Sequence, residues 1–175
     1  MMKCKRSKML DSALLAAAVG VASVSMAQAC TRALYTAEDG TVITGRTMDW
    51  KEYWRSILGV LPRGVERNGS AGANSIVWVS RYGSVVATGY DIATADGMNE
   101  QGLVANLLFL AESDYGKREA DKPALSISLW AQYMLDNFAT VDEAVTALRK
   151  YPFQVVTADL PMQEGGSANL HLSIS

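Results

Sequence analysis

An α+β fold is predicted for this 175-residue chain by three features. Runs of β-branched and apolar residues are separated by turn dipeptides, two stretches of helical periodicity follow them as a pair, and an alternating strand closes the sequence.

The first strands are expected over residues 31–35 and 41–44, where bulk and polarity alternate on either side of Asp39-Gly40. Asp-Gly tolerates positive φ at a tight turn, so the two runs read as a hairpin. Residues 51–74, with Pro62, Gly64, Gly69 and Gly72, read as a long loop holding one short strand at 57–61. A second hairpin is expected from 75–81 and 84–88 about Tyr82-Gly83, and a third from a turn at 96–102 and a returning strand at 103–109. Asp91, Asp96, Asn99 and Glu100 lack the spacing of a helix-loop-helix calcium site and are assigned to turn chemistry.

Pro123 is read as opening a helix, because Leu125, Leu129, Trp130, Tyr133 and Met134 recur at three- and four-residue spacing. Thr140 and Glu143 form a capping box for a second helix reaching about Lys150, ahead of Pro152. The last strand, 169–175, ends with neither turn nor polar tail. It needs neighbours, and the sequence is therefore expected to be the first part of a larger domain.

The opening 29 residues differ in kind. Lys3, Lys5, Arg6 and Lys8 precede a short apolar run that ends in Ala27-Gln28-Ala29. This is the grammar of a cleaved export signal and is too short for a comfortable membrane span. A secreted or bacterial periplasmic protein is expected, in two parts: a signal peptide over 1–29 and a domain over 30–175. Losing those four cations and Asp11 leaves the remainder more acidic than the formal charge of −2, which argues against a nucleic-acid surface.

Cleavage after Ala29 makes Cys30 the first residue. Its thiol and its own α-amine then lie on one residue, with ordinary pKa values of about 8.5 and 7.7–8.0, so the amine can accept the thiol proton near neutral pH. Cys4 goes with the leader, which leaves one thiol and no internal disulfide. The alternative is a non-catalytic lipoprotein or binding domain with Cys30 as the lipid attachment site. That signal normally has leucine three residues before the cysteine, where this sequence has Ala27. The hairpin would bring Arg46 and Asp49 back towards Cys30; there a guanidinium favours a thiolate and a carboxylate can hold an ammonium, although a surface salt bridge fits the same spacing. His171, the one histidine, alternates with apolar residues on what reads as an outward strand face, and a thiol–imidazole pair is the lesser reading.

Three motifs in order, Cys30-Thr31-Arg32, Gly45-Arg46-Thr47-Met48-Asp49-Trp50 and Ala95 through Leu103, resemble the choloylglycine hydrolase family of bile salt hydrolases and penicillin V acylases. The resemblance runs from Cys30 to Ser175. It implies a four-layer αββα N-terminal-nucleophile hydrolase sandwich, here only its first half, acting on linear amides through an acyl-thioester on the N-terminal cysteine. By motif, Cys30 resembles the nucleophile, Arg46 the guanidinium beside it and Asp49 the carboxylate holding the α-amine. Leu108 stands at the family's oxyanion and substrate position. The resemblance implies a small-molecule amide substrate such as penicillin V, a bile salt or an acyl-homoserine lactone, no cofactor or metal, no membrane partner after cleavage, and a homotetramer. The family's later oxyanion asparagine and second arginine lie beyond residue 175, so this stretch alone is expected to be inactive.

Overall fold

The computed structural model describes residues 30–50, 52–159 and 168–175, and the expected leader at 1–29 lies outside them. Its strands are β1 (Arg32–Thr36), β2 (Val42–Arg46), β3 (Leu58–Leu61), β4 (Glu66–Asn68), β5 (Val77–Val79), β6 (Ser84–Gly89), β7 (Ala93–Asn99), β8 (Val104–Phe109), β9 (Ala124–Ser126), β10 (Gln154–Val156) and β11 (Leu170–Ile174). Two helices, α1 (Trp130–Asn137) and α2 (Val141–Leu148), fall between β9 and β10.

Five strands make one antiparallel sheet in the order β11-β8-β7-β6-β3. Side chains alternate across it. Val86, Ala105 and Leu107 meet Leu125, Ala131, Met134, Leu135 and Phe138 in the core under α1. Gly97 permits that approach, since a Cβ there would lie 2.6 Å from Leu135 Cδ1 and 2.9 Å from the Val85 carbonyl oxygen.

The opposite face carries Asp96 and Asn106, and the β1–β2 hairpin lies against it. Arg32 Nε donates to Asn106 Oδ1 at 2.8 Å, Arg32 Nη2 donates to Ser175 Oγ at 2.6 Å, and the Thr44 and Ser175 hydroxyls are 2.9 Å apart. Helices, sheet and hairpin give the α, β and incipient second β layers of an αββα sandwich.

A buried polar cluster fastens α1 to the strands around it. Asp136, fully buried, accepts hydrogen bonds from Trp78 Nε1 at 2.7 Å, Arg67 Nε at 2.8 Å and Gln132 Nε2 at 2.8 Å. Gln132 accepts in turn from the Thr94 hydroxyl. With each of these groups partnered, the cluster avoids the cost of an orphaned buried charge.

Three expectations are corrected. The runs at 75–81 and 84–88 do not form a hairpin: β5 pairs with β4, whereas β6 pairs with β3 and β7. The cause is Asp136, whose backbone carbonyl accepts from the Arg81 and Tyr82 amides and pins the intervening chain to the end of α1. Residues 124–126 are strand β9, paired in parallel with β10, and α1 begins only at Trp130. Neighbours claim that backbone, with the Ala124 amide donating to Asn74 and the Pro123 carbonyl accepting from Gln154. Finally, Asp96 belongs to β7 and not to a turn. Asn99 is the residue that builds the turn: its Oδ1 accepts from the Gln101 and Leu103 amides, while its Nδ2 caps the carbonyls of Leu135 and Phe138 at the end of α1.

The remaining elements fall close to expectation. The β1–β2 hairpin turns at Gly40, which has φ +83°. The strand in the long loop is β3, although β4 in the same stretch carried too short a pattern to read. Thr140 caps α2, accepting from the Glu143 amide at 3.2 Å, and Glu143 Oε2 accepts from the Ala139 amide.

Candidate active site

Cys30 is half-buried at the entrance to β1 and borders a cavity of about 80 Å³ with almost wholly apolar walls. Its lining includes Met48 and Trp50, which follow β2, with Trp54; Tyr90 and Ile92, between β6 and β7; and Leu107, Phe109 and Ile127. Trp50 and Phe109 stack at a tilt with ring centroids 5.7 Å apart. Cys30 thus stands at the edge of an aromatic pocket.

Pairing of β1 with β2 sets the polar surroundings. Arg32 stands opposite Arg46, and two cations side by side need anions or acceptors nearby. Asp96 supplies the anion, taking Arg46 Nη1 on both oxygens at 3.1 and 2.8 Å, and Asn106 bridges the pair by donating to Asp96 Oδ1 and accepting from Arg32. Burial lowers the pKa of Arg32. Arg46 is nearly buried, and its Nε and Nη2 have no hydrogen-bond partner among the described residues, so two donors remain for a further acceptor.

Asp49 is exposed and accepts from the Thr47 hydroxyl at 2.9 Å. Thr47 Oγ1 itself accepts from the Thr31 amide at 3.1 Å, while the Thr47 amide donates to the Thr31 carbonyl. One hydroxyl therefore links the Asp49 carboxylate to the backbone next to Cys30. Arg46 and Asp49 are brought to the Cys30 end of the hairpin on different partners, and they form no ion pair with each other.

Leu108 is buried on the sheet face shared with Asn106 and does not border the cavity, unlike its neighbours Leu107 and Phe109. In the β8–β11 ladder the Val104 and Ser175 amides exchange hydrogen bonds, and by alternation Leu108 and His171 form a hydrogen-bonded pair. The Leu108 amide is thereby committed to β11. The Phe109 amide points to the other edge, past the Asp96 to Met98 stretch over which β7 pairs with β8. His171 faces the hairpin side and lies outside the cavity walls, with Nδ1 buried and unpartnered among the described residues.

Sequence reasoning missed Asp96, Asn106 and Tyr90. A legible signal existed for Asn106, a lone polar residue inside the apolar run from Leu103 to Phe109. Such a residue in a buried strand needs a partner.

Residues 30–175 match the family model for linear amide C–N hydrolases, choloylglycine hydrolase family, and the chain belongs to that family. It is 44% identical over 180 residues to a penicillin V acylase of Pectobacterium atrosepticum, covering 98% of this chain and 47% of that protein. Among solved structures it resembles a penicillin V acylase from Agrobacterium tumefaciens, with 53% identity, a TM-score of 0.74, and coverage of 82% of this chain and 42% of the other. A variant of the conjugated bile acid hydrolase from Clostridium perfringens superposes at a TM-score of 0.66 with 25% identity, covering 84% of this chain and 44% of that one. The fold is that of these N-terminal-nucleophile hydrolases, and the chain spans about half the length of the relatives it matches.

Proposed function

We propose that the processed, full-length protein hydrolyses linear amides whose acyl part is a flat aromatic or similarly compact apolar group, of the phenoxyacetyl type. The observation that carries this reading is the position of Cys30 at the wall of a small aromatic cavity. A single ordered water needs roughly 10–15 Å³ of such space, so the cavity has room for an apolar group at least on the order of one six-membered ring. Similarity to penicillin V acylases points the same way.

In this reading, removal of residues 1–29 frees the Cys30 α-amine. The amine takes the thiol proton, and the thiolate sulfur attacks the amide carbon. Collapse of the tetrahedral intermediate breaks the C–N bond, the departing amine takes the proton back from the ammonium, and an acyl-thioester remains. Water then attacks, giving its proton to the α-amine, and the carboxylic acid and thiol are regenerated. Asp49, one hydroxyl away from the backbone beside Cys30, holds the ammonium, and the unused Arg46 donors stabilise negative charge at the sulfur. The backbone donor to the oxyanion is the Phe109 amide and not that of Leu108, which the ladder already occupies. Each such donor supplies about 10²–10³ in turnover. The family match beginning at Cys30 supports processing at that residue, and secretion to the periplasm and homotetramer assembly belong to the same proposal.

The test keeps every side chain and changes only the position of the amine. A full-length variant with one residue left ahead of Cys30 should lose activity on penicillin V, whereas the processed enzyme turns over. Retained activity in the extended form would overturn the α-amine as base. Intact mass of the mature protein should equal that of an unmodified chain starting at Cys30, and added acyl groups would favour the lipoprotein alternative.

A further inference from the structure

The segment after β2 is clamped to the β6–β7 turn at three successive points. The Trp50 indole Nε1 donates to the Tyr90 hydroxyl at 2.7 Å. The Trp54 carbonyl accepts from the Tyr90 amide, its ring meets Tyr90 edge-on, and it lies so close to Gly89 that a Cβ there would fall 2.8 Å from Cε3. Arg55 closes the clamp on Asp91 at 2.9 Å. Tyr90 and Asp91 have φ of +54° and +61°, and Arg55 has +53°. Side chains rarely adopt this region, so three strained residues gather at one junction beside the cavity.

We propose that Tyr90 is a positioning residue that sets acyl-group specificity by fixing the Trp50 indole as a wall of the pocket. Tyr90 and Phe109 both line the cavity, and the Tyr90 hydroxyl accepts the Trp50 indole N–H. Of the two aromatic walls in mutual ring contact, Phe109 is anchored by β8 itself, whereas Trp50 lies beyond the end of β2, where the bond to Tyr90 is the hydrogen bond its side chain makes. Without the bond the indole rotates, and a flat acyl group loses one of its two faces while the thiol is untouched.

This inference rests on the aryl-amide reading, and the experiment separates the two. In the full-length processed enzyme, Tyr90→Phe keeps the ring and removes the hydroxyl. It should raise KM for penicillin V about two- to tenfold, the scale of one hydrogen bond, and leave kcat within about twofold. The rise in KM should be smaller on a short unbranched acyl amide, which presents no flat face to the indole. In a Trp50→Phe background, which has no indole N–H to hold, Tyr90→Phe should have no further effect. An equal loss from Tyr90→Phe in both backgrounds would show a merely structural role and overturn the proposal, as would an unchanged KM in the Tyr90→Phe single variant while Trp50→Phe raises it. If neither Trp50→Phe nor Trp50→Ala changes KM for the aromatic substrate, the aryl-amide reading itself fails.

Discussion

Replacing Asp96 by alanine tests whether the polar seam between hairpin and sheet is an energetic unit. The carboxylate takes Arg46 Nη1 on both oxygens and Asn106 Nδ2 on one. Stranding one partner of a deeply buried ion pair costs about 3–5 kcal/mol. Asp96 keeps 21% of its side chain exposed and Arg46 10%, so water recovers part of that and about 2 kcal/mol is expected from the pair. The orphaned Asn106 amide adds about 1 kcal/mol. With a urea m-value of about 1.5–3 kcal/mol/M, a total of about 3 kcal/mol lowers the midpoint by about 1–2 M. The double variant Asp96→Ala/Arg46→Met should recover much of this loss, because an apolar stem replaces the stranded cation. Urea unfolding of both variants and wild type decides the matter. A shift under about 0.5 kcal/mol for Asp96→Ala, or a double variant less stable than the single, would refute the reasoning.

Gly97→Ala should destabilise by about 1–3 kcal/mol through overpacking, since the new methyl meets the rigid Val85 carbonyl as well as Leu135 and Val86; thermal unfolding reads the effect. Burial raises the pKa of Tyr133, which meets Trp78 and Phe153 edge-on. The unfolded phenol therefore ionises first, and the stability Tyr133 contributes is present below pH ~10 and lost as pH rises through its folded value. Tyr133→Phe should flatten the alkaline limb of a stability-against-pH curve. Thr47→Val should weaken the link between Asp49 and the backbone at Thr31 and lower kcat more than it raises KM, and steady-state kinetics on penicillin V checks it.

Local chemistry made some of this legible in the sequence. The β1–β2 hairpin depends on Asp39-Gly40 and two alternating runs, and α2 on Thr140 with Glu143; both are short-range signals, and both elements formed where the sequence placed them. Failures came where distant groups decided the outcome. The strand at 124–126 exists because Gln154 and Asn74 claim its backbone, and β5 turns to β4 because the Asp136 carbonyl holds the next residues. The proposal of Cys30 as an N-terminal nucleophile rests on its position in the chain. Asp96 was not, because a carboxylate beside glycine and asparagine has the composition of a turn, and only the register of β7 turns it towards Arg46.

The hairpin that presents Cys30 meets the five-stranded sheet through a polar seam. Its attachment comes from Arg32 to Asn106 and Ser175, Thr44 to Ser175, and Arg46 to Asp96. Apolar contact is non-directional and tolerates sliding, whereas these bonds weaken steeply once their geometry is lost. In the proposed reaction, a nucleophile that must meet a carbonyl carbon held by Trp50 and Phe109 needs placement to a fraction of an ångström, which a polar seam can supply. The same argument explains why charge is tolerated between two sheet layers: a greasier interface would leave the register of the hairpin, and with it the thiol, less well defined.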